Sequence, residues 1–331
     1  MERVFSGMRP TGKLHLGHLA GALTNWVKLQ DNYDCYYSIV DWHAMMSDYE
    51  DSSMIRQNCK EVLLDWLASG IDPERSCVFV QSHVHEHAEL ALALGMVTPL
   101  GWLFRNPIYK EQLRNIENRD IQNYGFLGYP ILMAADILLY KAGIVPVGED
   151  QDAHLELSRE IARRFNHFFG ENKLPEPEML LTPTPKVPGT DGRKMSKSYN
   201  NSLLISEDTE SMWTKLRTMV TDPARIKRTD PGDPDKCPVW DIQKVFNNDE
   251  QELLEISAGC RSAGIGCIDC KKKLNNHVER VMEPIHERRK KYENSPGLLS
   301  DILNEGARRA REVAKETMHE LREAMGLLIE S

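Results

Sequence analysis

Apolar residues in the first half of the chain form short blocks that alternate with longer stretches of mixed character. Blocks at 4–6, 36–40 and 77–80 are rich in Val, Ile, Phe and Tyr, which predicts buried β-strands. Residues 15–30 and 51–69 instead repeat apolar positions with helical spacing. Strands that alternate with helices predict an α/β fold, with a doubly wound parallel sheet.

The second half of the chain predicts helices almost throughout. Residues 88–140 are also mostly helical and predict an insertion into the sheet-forming part. Positions 297–328 place an apolar residue about every 3.6 residues, which predicts a last helix packed on the core. We therefore expect an α/β domain over 1–200 and a helical domain over 201–331.

Composition and charge narrow the class of protein. The chain has 331 residues, 41% of them hydrophobic, and a net charge of −9 at pH 7. These values suit a sizeable core and exclude a uniformly basic nucleic-acid-binding protein, so a phosphate-bearing partner must meet a local patch. The absence of a membrane-length apolar run and of an N-terminal signal favours a soluble cytoplasmic protein. In that compartment seven cysteines argue against a disulfide framework.

A polar, glycine-containing stretch at 189–200 predicts an exposed loop. Its centre consists of Lys194, Met195, Ser196, Lys197 and Ser198. Two lysines three residues apart can place their ammonium groups around one polyphosphate. A solvated basic loop is the alternative interpretation.

The stretch that follows the first strand has the chemistry of a phosphate site. Residues 7–13 favour turns, and His15, Gly17 and His18 open the next helix. A strand, a glycine-containing loop and a helix N-terminus present free N–H groups and the positive end of the helix dipole to an anion. The two histidines share one helical face, for which a metal pair or helix caps are the alternatives.

Asp136 is a single carboxylate in the otherwise apolar stretch 128–140. A buried carboxylate needs a donor, which is usually a backbone N–H or an arginine and, in an amino-acid pocket, can be a ligand N–H. A further strand at 144–147 leads into an acidic turn at 148–152. These acids either cap the next helix or bind a ligand.

These stretches resemble known signatures. Lys194 to Ser198 matches all five residues of the KMSKS signature of class I aminoacyl-tRNA synthetases, and residues 15–18 (His-Leu-Gly-His) resemble their HIGH signature. Four further stretches resemble those of bacterial tryptophanyl-tRNA synthetases, so that the resemblance covers essentially the whole chain: 5–7, 39–43, 134–140 and 145–154. The resemblance implies a Rossmann-like catalytic domain, a helical anticodon-binding domain and a homodimer.

The resemblance also implies a reaction. L-tryptophan attacks ATP, bound with Mg²⁺, to give tryptophanyl adenylate and pyrophosphate, and the aminoacyl group then passes to the 3′-terminal adenosine of tRNA(Trp). The implied catalytic residues are His15, His18, Lys194 and Lys197. The implied ATP site contains Arg9, Pro10, Thr11, Gly17, His18, Gly148, Glu149, Asp150, Val187, Lys194, Met195, Ser196, Lys197 and Ser198.

In the tryptophan pocket that the resemblance implies, Asp136 accepts the indole N–H, while Tyr129 and Gln151 hold the α-ammonium. The ring is walled by Phe5, Val40, His43, Met133, Val145 and Val147. Such a hydrogen bond rejects analogues without the N–H, so no editing domain is required. Two positions depart from the family pattern: Arg9 stands where many relatives have Gln, and Gln112 where some have Lys.

Four cysteines gather in the second half with the spacing C-x22-C-x6-C-x2-C: Cys237, Cys260, Cys267 and Cys270. The last three fall in an eleven-residue stretch with two glycines, which predicts a loop. Four thiols can hold zinc or an iron–sulfur cluster, or can stay uncoordinated. The spacing resembles that of tryptophanyl-tRNA synthetases with a [4Fe-4S] cluster in the anticodon-binding region, which favours the cluster over zinc.

Two further groups of residues carry expectations. Lys271, Lys272 and Lys273 directly follow these cysteines, and are expected either to be a solvated helix start or to meet anticodon phosphates. The other cysteines stand among apolar residues and are expected to be buried thiols: Cys35, Cys59 and Cys77.

Three other functions compete with the synthetase. A small-molecule nucleotidyltransferase also uses an HxGH helix start on this fold, but would lack the tryptophan-pocket stretches and the helical second domain. A non-catalytic iron–sulfur or RNA-binding protein would tolerate loss of His15, His18 or Lys197, all of which are present. Tyrosyl specificity is the nearest alternative within the enzyme class.

Overall fold

A five-stranded parallel sheet forms the centre of the protein. The structure, a computed structural model, describes residues 1–115, 121–148, 152–181 and 185–328. Its strands are β1 (Arg3–Met8), β2 (Asp34–Ile39), β3 (Cys77–Val80), β4 (Ile144–Val147) and β5 (Glu178–Leu181). They pair in parallel in the order β3-β2-β1-β4-β5, so the predicted α/β class is confirmed.

Helices cover both faces of this sheet. In the first part of the chain they are α1 (Leu16–His18), a π-helical turn (Leu19–Leu23), α2 (Thr24–Leu29), α3 (Asp41–Asp48), α4 (Ile55–Ser69), α5 (Glu86–Val97), α6 (Leu100–Arg105), α7 (Pro107–Asn115), α8 (Tyr124–Leu138) and α9 (Asp152–Phe169). The later helices are α10 (Thr209–Thr218), α11 (Pro238–Phe246), α12 (Glu250–Arg261), α13 (Cys267–Glu293) and α14 (Pro296–Ala324). None of the described helices is both long and apolar enough to cross a membrane.

Alternate residues of β1, β2 and β3 face two different apolar cores. On β2, Tyr37 and Ile39 face one core while Tyr36 faces the other, and β3 divides Val78 from Phe79 in the same way. This follows from the two-residue period of a strand. One core is completed by α2, α4, α10, α11 and α13, and the other by α5, α8, α9 and α14.

The long helix α14 lies directly against the edge strand β3. A Cβ atom at Gly306 would lie 1.8 Å from the carbonyl oxygen of Val78, so only glycine permits this approach. Cys77 Sγ donates to the carbonyl oxygen of Gly306 at 3.2 Å. Small residues continue the contact face along the helix: Ala307, Ala310 and Ala314.

The strand order places a crevice between β1 and β4. From β1 the chain continues to β2 and β3 on one side of the sheet, whereas from β4 it continues to β5 on the other side. The connections therefore diverge at the carboxyl ends of β1 and β4. Ligands of doubly wound sheets bind at this switch point. The loop at 9–15 begins after the carboxyl end of β1, and Gly148 directly follows the carboxyl end of β4.

Candidate active site

His15 and His18 lie against each other at the start of α1, and both rings accept hydrogen bonds from backbone N–H groups. His15 is the N-cap residue, and its Nδ1 accepts from the N–H of Gly17 at 3.2 Å. His18 Nδ1 accepts from the N–H of His15 at 3.3 Å, and the two ring centroids are 3.8 Å apart. A Cβ atom at Gly17 would meet the His15 ring at 3.0 Å, which explains the glycine between the histidines.

These contacts fix the chemistry of both rings. Burial, with the charge of Lys197 nearby, lowers the pKa of His15 to about 4, and burial with His15 beside it lowers the pKa of His18 to about 3. Both rings are therefore neutral at pH 7. Since each Nδ1 accepts a hydrogen bond, the proton of each ring lies on Nε2. The pair thus offers two Nε2–H donors without positive charge.

The KMSKS stretch is held by Asn201 and by a buried methionine. Asn201 Oδ1 accepts from the N–H of Ser196 at 2.8 Å, and its Nδ2 donates to Asp191 Oδ1 at 2.7 Å and to the carbonyl oxygen of Lys194 at 3.2 Å. Met195 is buried in the core. The side chain of Lys194 stays exposed, and that of Ser198 lies outside the described part of the chain.

The two signature stretches touch each other. Lys197 Nζ donates to the carbonyl oxygen of Thr11 at 2.7 Å and to its Oγ1 at 3.2 Å. The residues after the KMSKS stretch also pair with those around His15, through Leu16 N–H to Leu203 O and Ile205 N–H to Leu14 O, both 2.9 Å. The structure thus brings together the two stretches that the sequence separates by about 180 residues.

Asp136 on α8 is buried among three side-chain donors. Its Oδ1 lies 2.7 Å from both His87 Nδ1 and Gln81 Nε2, and its Oδ2 lies 2.9 Å from both His43 Nε2 and Gln81 Nε2. Burial alone would raise the pKa of Asp136, but His87 and His43 outweigh it and lower the pKa to about 2. The carboxylate is therefore ionised and only accepts hydrogen bonds. His87 Nε2 meets the hydroxyl of Tyr140 at 2.7 Å.

Tyr129 lies beside this network. Its ring stands edge-on to that of His43, with centroids 6.3 Å apart, and its hydroxyl is 2.6 Å from His154 Nε2. Burial raises the pKa of Tyr129, so the hydroxyl stays protonated. The structure thus brings together Asp136, His43 and Tyr129, three of the residues predicted for the tryptophan pocket.

Of the apolar residues predicted for the pocket, four belong to the core that contains Tyr140 or pack against it. Phe5 stacks on Tyr140 with centroids 5.7 Å apart. Phe5 and Val145 are buried in one core, against which Met133 and Val147 pack half-buried. Val40 is buried and precedes α3 as its N-cap residue.

The remaining residues predicted for ATP surround the loop after β1. Arg9 Nη2 donates to Ser47 Oγ at 2.6 Å. Pro10 is buried, Thr11 is exposed, and Val187 packs near Gly17. Gly148 ends β4. Three predicted residues lie outside the described part of the chain: Glu149, Asp150 and Gln151.

Comparison with known proteins decides the family. Residues 1–283 match the family described as tRNA synthetases class I (W and Y). A tryptophan–tRNA ligase from Thermotoga maritima is 50% identical, with 98% of this chain and 99% of the relative covered. The corresponding enzyme of Ralstonia nicotianae is 45% identical, with 98% of each covered. The chain belongs to the class I tryptophanyl-tRNA synthetases.

A solved structure agrees with this assignment. Tryptophanyl-tRNA synthetase from Campylobacter jejuni, complexed with ADP and tryptophan, superimposes with a TM-score of 0.87 at 35% identity, over 98% of this chain and 100% of that one. The predicted tryptophan–tRNA ligase activity is confirmed by these relatives. Tyrosyl specificity, a nucleotidyltransferase and a non-catalytic protein are set aside.

The four clustered cysteines of this synthetase lie at helix ends rather than in one loop. Cys260 belongs to α12, and Cys267 and Cys270 to the first turn of α13, so the predicted loop is wrong. The break between the helices is short because Ala263 adopts a left-handed conformation (φ 59°) and Gly266 already caps α13. Burial raises the pKa of the Cys270 thiol to about 12, and the charges of the other three thiols add to the rise.

The surroundings of these thiols suit negatively charged sulfur. Arg225 Nη1 lies 3.8 Å from Cys260 Sγ, and Gln243 Nε2 lies 3.7 Å from Cys270 Sγ. Arg225 Nε is buried with no partner among the described residues. Among all the residues that the structure describes, no three Cys, His, Asp or Glu side chains are close enough to hold one metal ion.

One of the three lysines after the cysteines, Lys271, contradicts the expectation. Lys271 is buried, and its Nζ donates to the carbonyl oxygens of Arg217 and Met219. Lys273 pairs with Glu252 at 2.7 Å. Only Lys272 of this triplet is exposed. The remaining cysteines, in contrast, are buried as predicted: Cys35, Cys59 and Cys77.

Several residues that shape the site were missed from the sequence. Gln81 and His87 hold Asp136, and Asn201 holds the KMSKS stretch. The first two follow the carboxyl end of β3, where a parallel sheet carries ligand-binding residues, so their position was a usable signal. For Asn201 the sequence offered none.

Proposed function

We propose that the crevice at the carboxyl ends of β1 and β4 binds ATP and tryptophan side by side and forms tryptophanyl adenylate. The contact between Lys197 and Thr11 carries this proposal, since it joins the KMSKS stretch to the loop that leads to His15. One pyrophosphate-sized ligand there would reach cations and N–H donors from both signatures. The predicted division into domains at residue 200 remains a prediction.

On the ATP side, the neutral rings act as hydrogen-bond donors. The Nε2–H groups of His15 and His18 contact phosphate oxygens and stabilise charge that develops on the α-phosphate. Lys197 exchanges its bonds to Thr11 for the departing pyrophosphate, and Lys194, already exposed, joins it. Mg²⁺ enters with ATP as substrate, mainly held by phosphate oxygens.

The other ATP contacts follow from position. By resemblance, Gly17 lets the adenine base lie against the backbone of the helix. Arg9, Pro10 and Thr11 line the loop after β1, and Val187 closes it from the KMSKS side. By resemblance, the turn after β4 completes the ATP site with Gly148, Glu149 and Asp150.

On the tryptophan side, Asp136 accepts the indole N–H. A carboxylate offers about four lone-pair positions, and four contacts from His43, His87 and Gln81 occupy them. The indole N–H therefore takes the place of one of these donors. His43, whose ring stands edge-on to Tyr129, faces the side where the α-ammonium is proposed to bind. By resemblance, Tyr129 and Gln151 hold the α-ammonium and leave the carboxylate to attack the α-phosphate.

Transfer completes the reaction. The 2′-hydroxyl of the terminal adenosine of tRNA(Trp) attacks the carbonyl carbon of the adenylate, and AMP leaves. The same Nε2–H donors that face the α-phosphate are placed to stabilise the AMP leaving group.

The histidine roles are tested by ATP–pyrophosphate exchange with His15→Ala and His18→Ala. Each change should lower kcat at least 100-fold, because a preorganised donor to the developing charge is lost. The dissociation constant for tryptophan, measured by fluorescence, should change less than twofold. A folded His18→Ala enzyme with unchanged exchange kcat would contradict the proposal.

We also propose that the four clustered thiols hold a [4Fe-4S] cluster rather than zinc. Four thiolates are a ligand set that either centre accepts. The spacing of the four cysteines, which resembles that of tryptophanyl-tRNA synthetases with such a cluster, supports the cluster. The guanidinium of Arg225 and the amide of Gln243 would donate to its sulfurs. When bound, the cluster supplies a rigid, negatively charged junction between α11, α12 and α13.

Anaerobic purification with metal analysis decides between the two centres. About four irons and four sulfides per chain, with a broad absorption band, support the cluster. One zinc and no colour would replace it by a structural zinc site and leave the synthetase activity untouched.

A homodimer is supported by an exposed apolar surface. Four side chains of α5 and α6 are between 51% and 76% exposed: Leu92, Met96, Leu100 and Phe104. Exposed apolar groups on neighbouring turns favour a protein partner, and a second copy of the chain is the partner that the resemblance implies. Sedimentation equilibrium should give twice the chain mass of 37.9 kDa. Met96→Glu, with a charge at this surface, should shift the protein toward monomer.

A further inference from the structure

Leu14 is the residue directly before His15, and its backbone N–H and carbonyl oxygen both form hydrogen bonds. Its N–H donates to Asp65 Oδ2 on α4 at 2.7 Å, and its carbonyl oxygen accepts from Ile205 N–H at 2.9 Å. Leu14 and Asp65 are 1% and 0% exposed. The placement of His15 against the sheet therefore depends on this buried carboxylate and on the segment after the KMSKS stretch.

Asp65 is itself fixed by helix α13. Its Oδ1 forms an ion pair with Arg289 Nη1. The other nitrogens of Arg289 bond to Glu61 Oε2 at 2.6 Å and to Glu293 Oε1 at 2.8 Å. With all three nitrogens engaged, the planar guanidinium has one orientation.

The same helix also reaches the second anchor of Leu14. His286 lies one turn before Arg289, and its Nε2 is 3.1 Å from the carbonyl oxygen of Ile205. Helix α13 therefore holds both groups that hold Leu14: Asp65 through Arg289, and Ile205 through His286.

We propose that Asp65 and Arg289 are positioning residues for adenylate formation, which place the backbone of Leu14 and thereby the rings of His15 and His18 against the triphosphate. This inference rests on the roles proposed above for the two histidines. Neither residue of the pair needs to touch ATP.

Packing of α4 against α13 does not explain the two charges. Both helices contribute to one apolar core, and Arg288 Nε separately donates to the carbonyl oxygen of Ala68 at 2.6 Å. A buried ion pair contributes little net stability compared with apolar side chains of similar volume. What the pair supplies, and apolar residues cannot, is an oriented acceptor for the N–H of Leu14.

The test uses the full-length enzyme with Asp65→Asn, Arg289→Gln and the double variant. Each single change should lower the kcat of ATP–pyrophosphate exchange at least tenfold and raise the KM for ATP. The dissociation constant for tryptophan should change less than twofold, because the pocket around Asp136 lies on the other side of the crevice. The double variant should be no slower than the worse single variant, since residues that act as one unit are not additive.

Two matched variants separate positioning from simple packing. Arg288→Gln breaks a bond between the same two helices without touching Leu14, and its exchange kcat should stay within twofold of the original. Arg289→Lys keeps the charge but loses the fork, and should recover part of the kcat that Arg289→Gln loses.

The possible outcomes are distinct. Folded single variants with normal exchange kcat, or with a parallel loss of tryptophan affinity, overturn the positioning role. If a single change unfolds the chain by leaving a lone buried charge, the double variant is measured instead, and a normal kcat in it overturns the positioning role. Normal kcat in His18→Ala would sink the histidine roles; impaired His18→Ala with normal Asp65→Asn sinks only this inference.

Discussion

Around Asp136, the polar partners are buried side chains whose donors are already committed, whereas Lys194 and Lys197 approach the other half of the crevice from an exposed stretch. In the proposed tryptophan half, an ionised carboxylate is fixed by Gln81 and His87. In the proposed phosphate half, two lysines lie near two neutral rings. Buried networks give selectivity because an unmatched group is costly there. Exposed cations suit a ligand that must leave after each turnover.

Asp136→Asn is the strongest test of this difference between the two halves of the crevice. The new amide would turn an N–H₂ group toward the donors of His43, His87 or Gln81 and remove the charge that all three stabilise. We expect kcat/KM for tryptophan to fall about 1000-fold, less than the roughly 10⁴- to 10⁵-fold by which such a site rejects a substrate that lacks the hydrogen bond. The KM for ATP should change less than threefold in the exchange assay.

Met133→Leu provides the control for Asp136→Asn. It nearly conserves volume at the pocket wall and should cost less than tenfold in kcat/KM. A folded Asp136→Asn enzyme that uses tryptophan within threefold of the original rate would remove the distinction between the two halves.

On the phosphate side, Lys197→Ala should lower the kcat of adenylate formation about 100-fold, because a charge on the departing pyrophosphate is lost. Tryptophan affinity should stay within twofold, since Lys197 contacts Thr11 and not the pocket. Lys186→Ala is the matched control, a neighbouring lysine that is 78% exposed and paired with Asp241. Equal losses in the two variants would mean that only general positive charge matters there.

A smaller effect is expected from His87→Phe. The change keeps an aromatic ring beside Phe79 but removes the donor to Asp136 Oδ1. We expect kcat/KM for tryptophan to fall about tenfold, the usual cost of one charge-assisted hydrogen bond. The pKa of Asp136 should rise, so the loss should deepen as the pH falls. Tyr140→Phe removes only the hydroxyl that contacts His87 Nε2, and should lower kcat/KM for tryptophan less than threefold. A larger loss than in His87→Phe would mean that Tyr140, rather than His87, is the more important support of Asp136.

The two halves also differ in how far the sequence predicted them. The phosphate half follows from contiguous signatures, because glycine, histidine and lysine act there through local backbone geometry and charge. Asp136 was predictable as one carboxylate in an apolar helix, but its partners come from other elements, after β2 and β3. Long-range side-chain pairing leaves no pattern in a single sequence.

Asp65 illustrates the same limit. It too interrupts an apolar helical stretch, between Leu64 and Trp66, yet its meaning depends on Arg289, which lies 224 residues later. The expectation for Lys271 failed for a related reason: whether Lys271 faces solvent depends on how α10 packs against α13. The fold class was accessible because it follows from periodicity, which is local.

The smallest expected effect on activity is the pH dependence that the two histidines cause. Their folded pKa values, about 4 and about 3, lie below the ordinary value of 6.5. Between pH 6.5 and 4 the unfolded chain therefore binds more protons at these rings than the folded chain, so the free energy of unfolding falls as the pH drops. Adenylate formation should change less than twofold between pH 8 and 6 through these rings, since both stay neutral.

The free energy of unfolding is the quantity that shows whether the two histidine rings are neutral in the folded protein. Urea unfolding at pH 7.5 and 4.5 should show a loss to which each histidine contributes about 1–2 kcal/mol after allowance for partial exposure. His18→Gln should reduce that loss by its share. Asp136→Asn should leave it unchanged, because an acid with a folded pKa of about 2 keeps its stabilising effect above pH 4 and loses it only below. If His18→Gln loses as much free energy as the original enzyme, the ring is not held neutral, and the phosphate half does not work through uncharged donors.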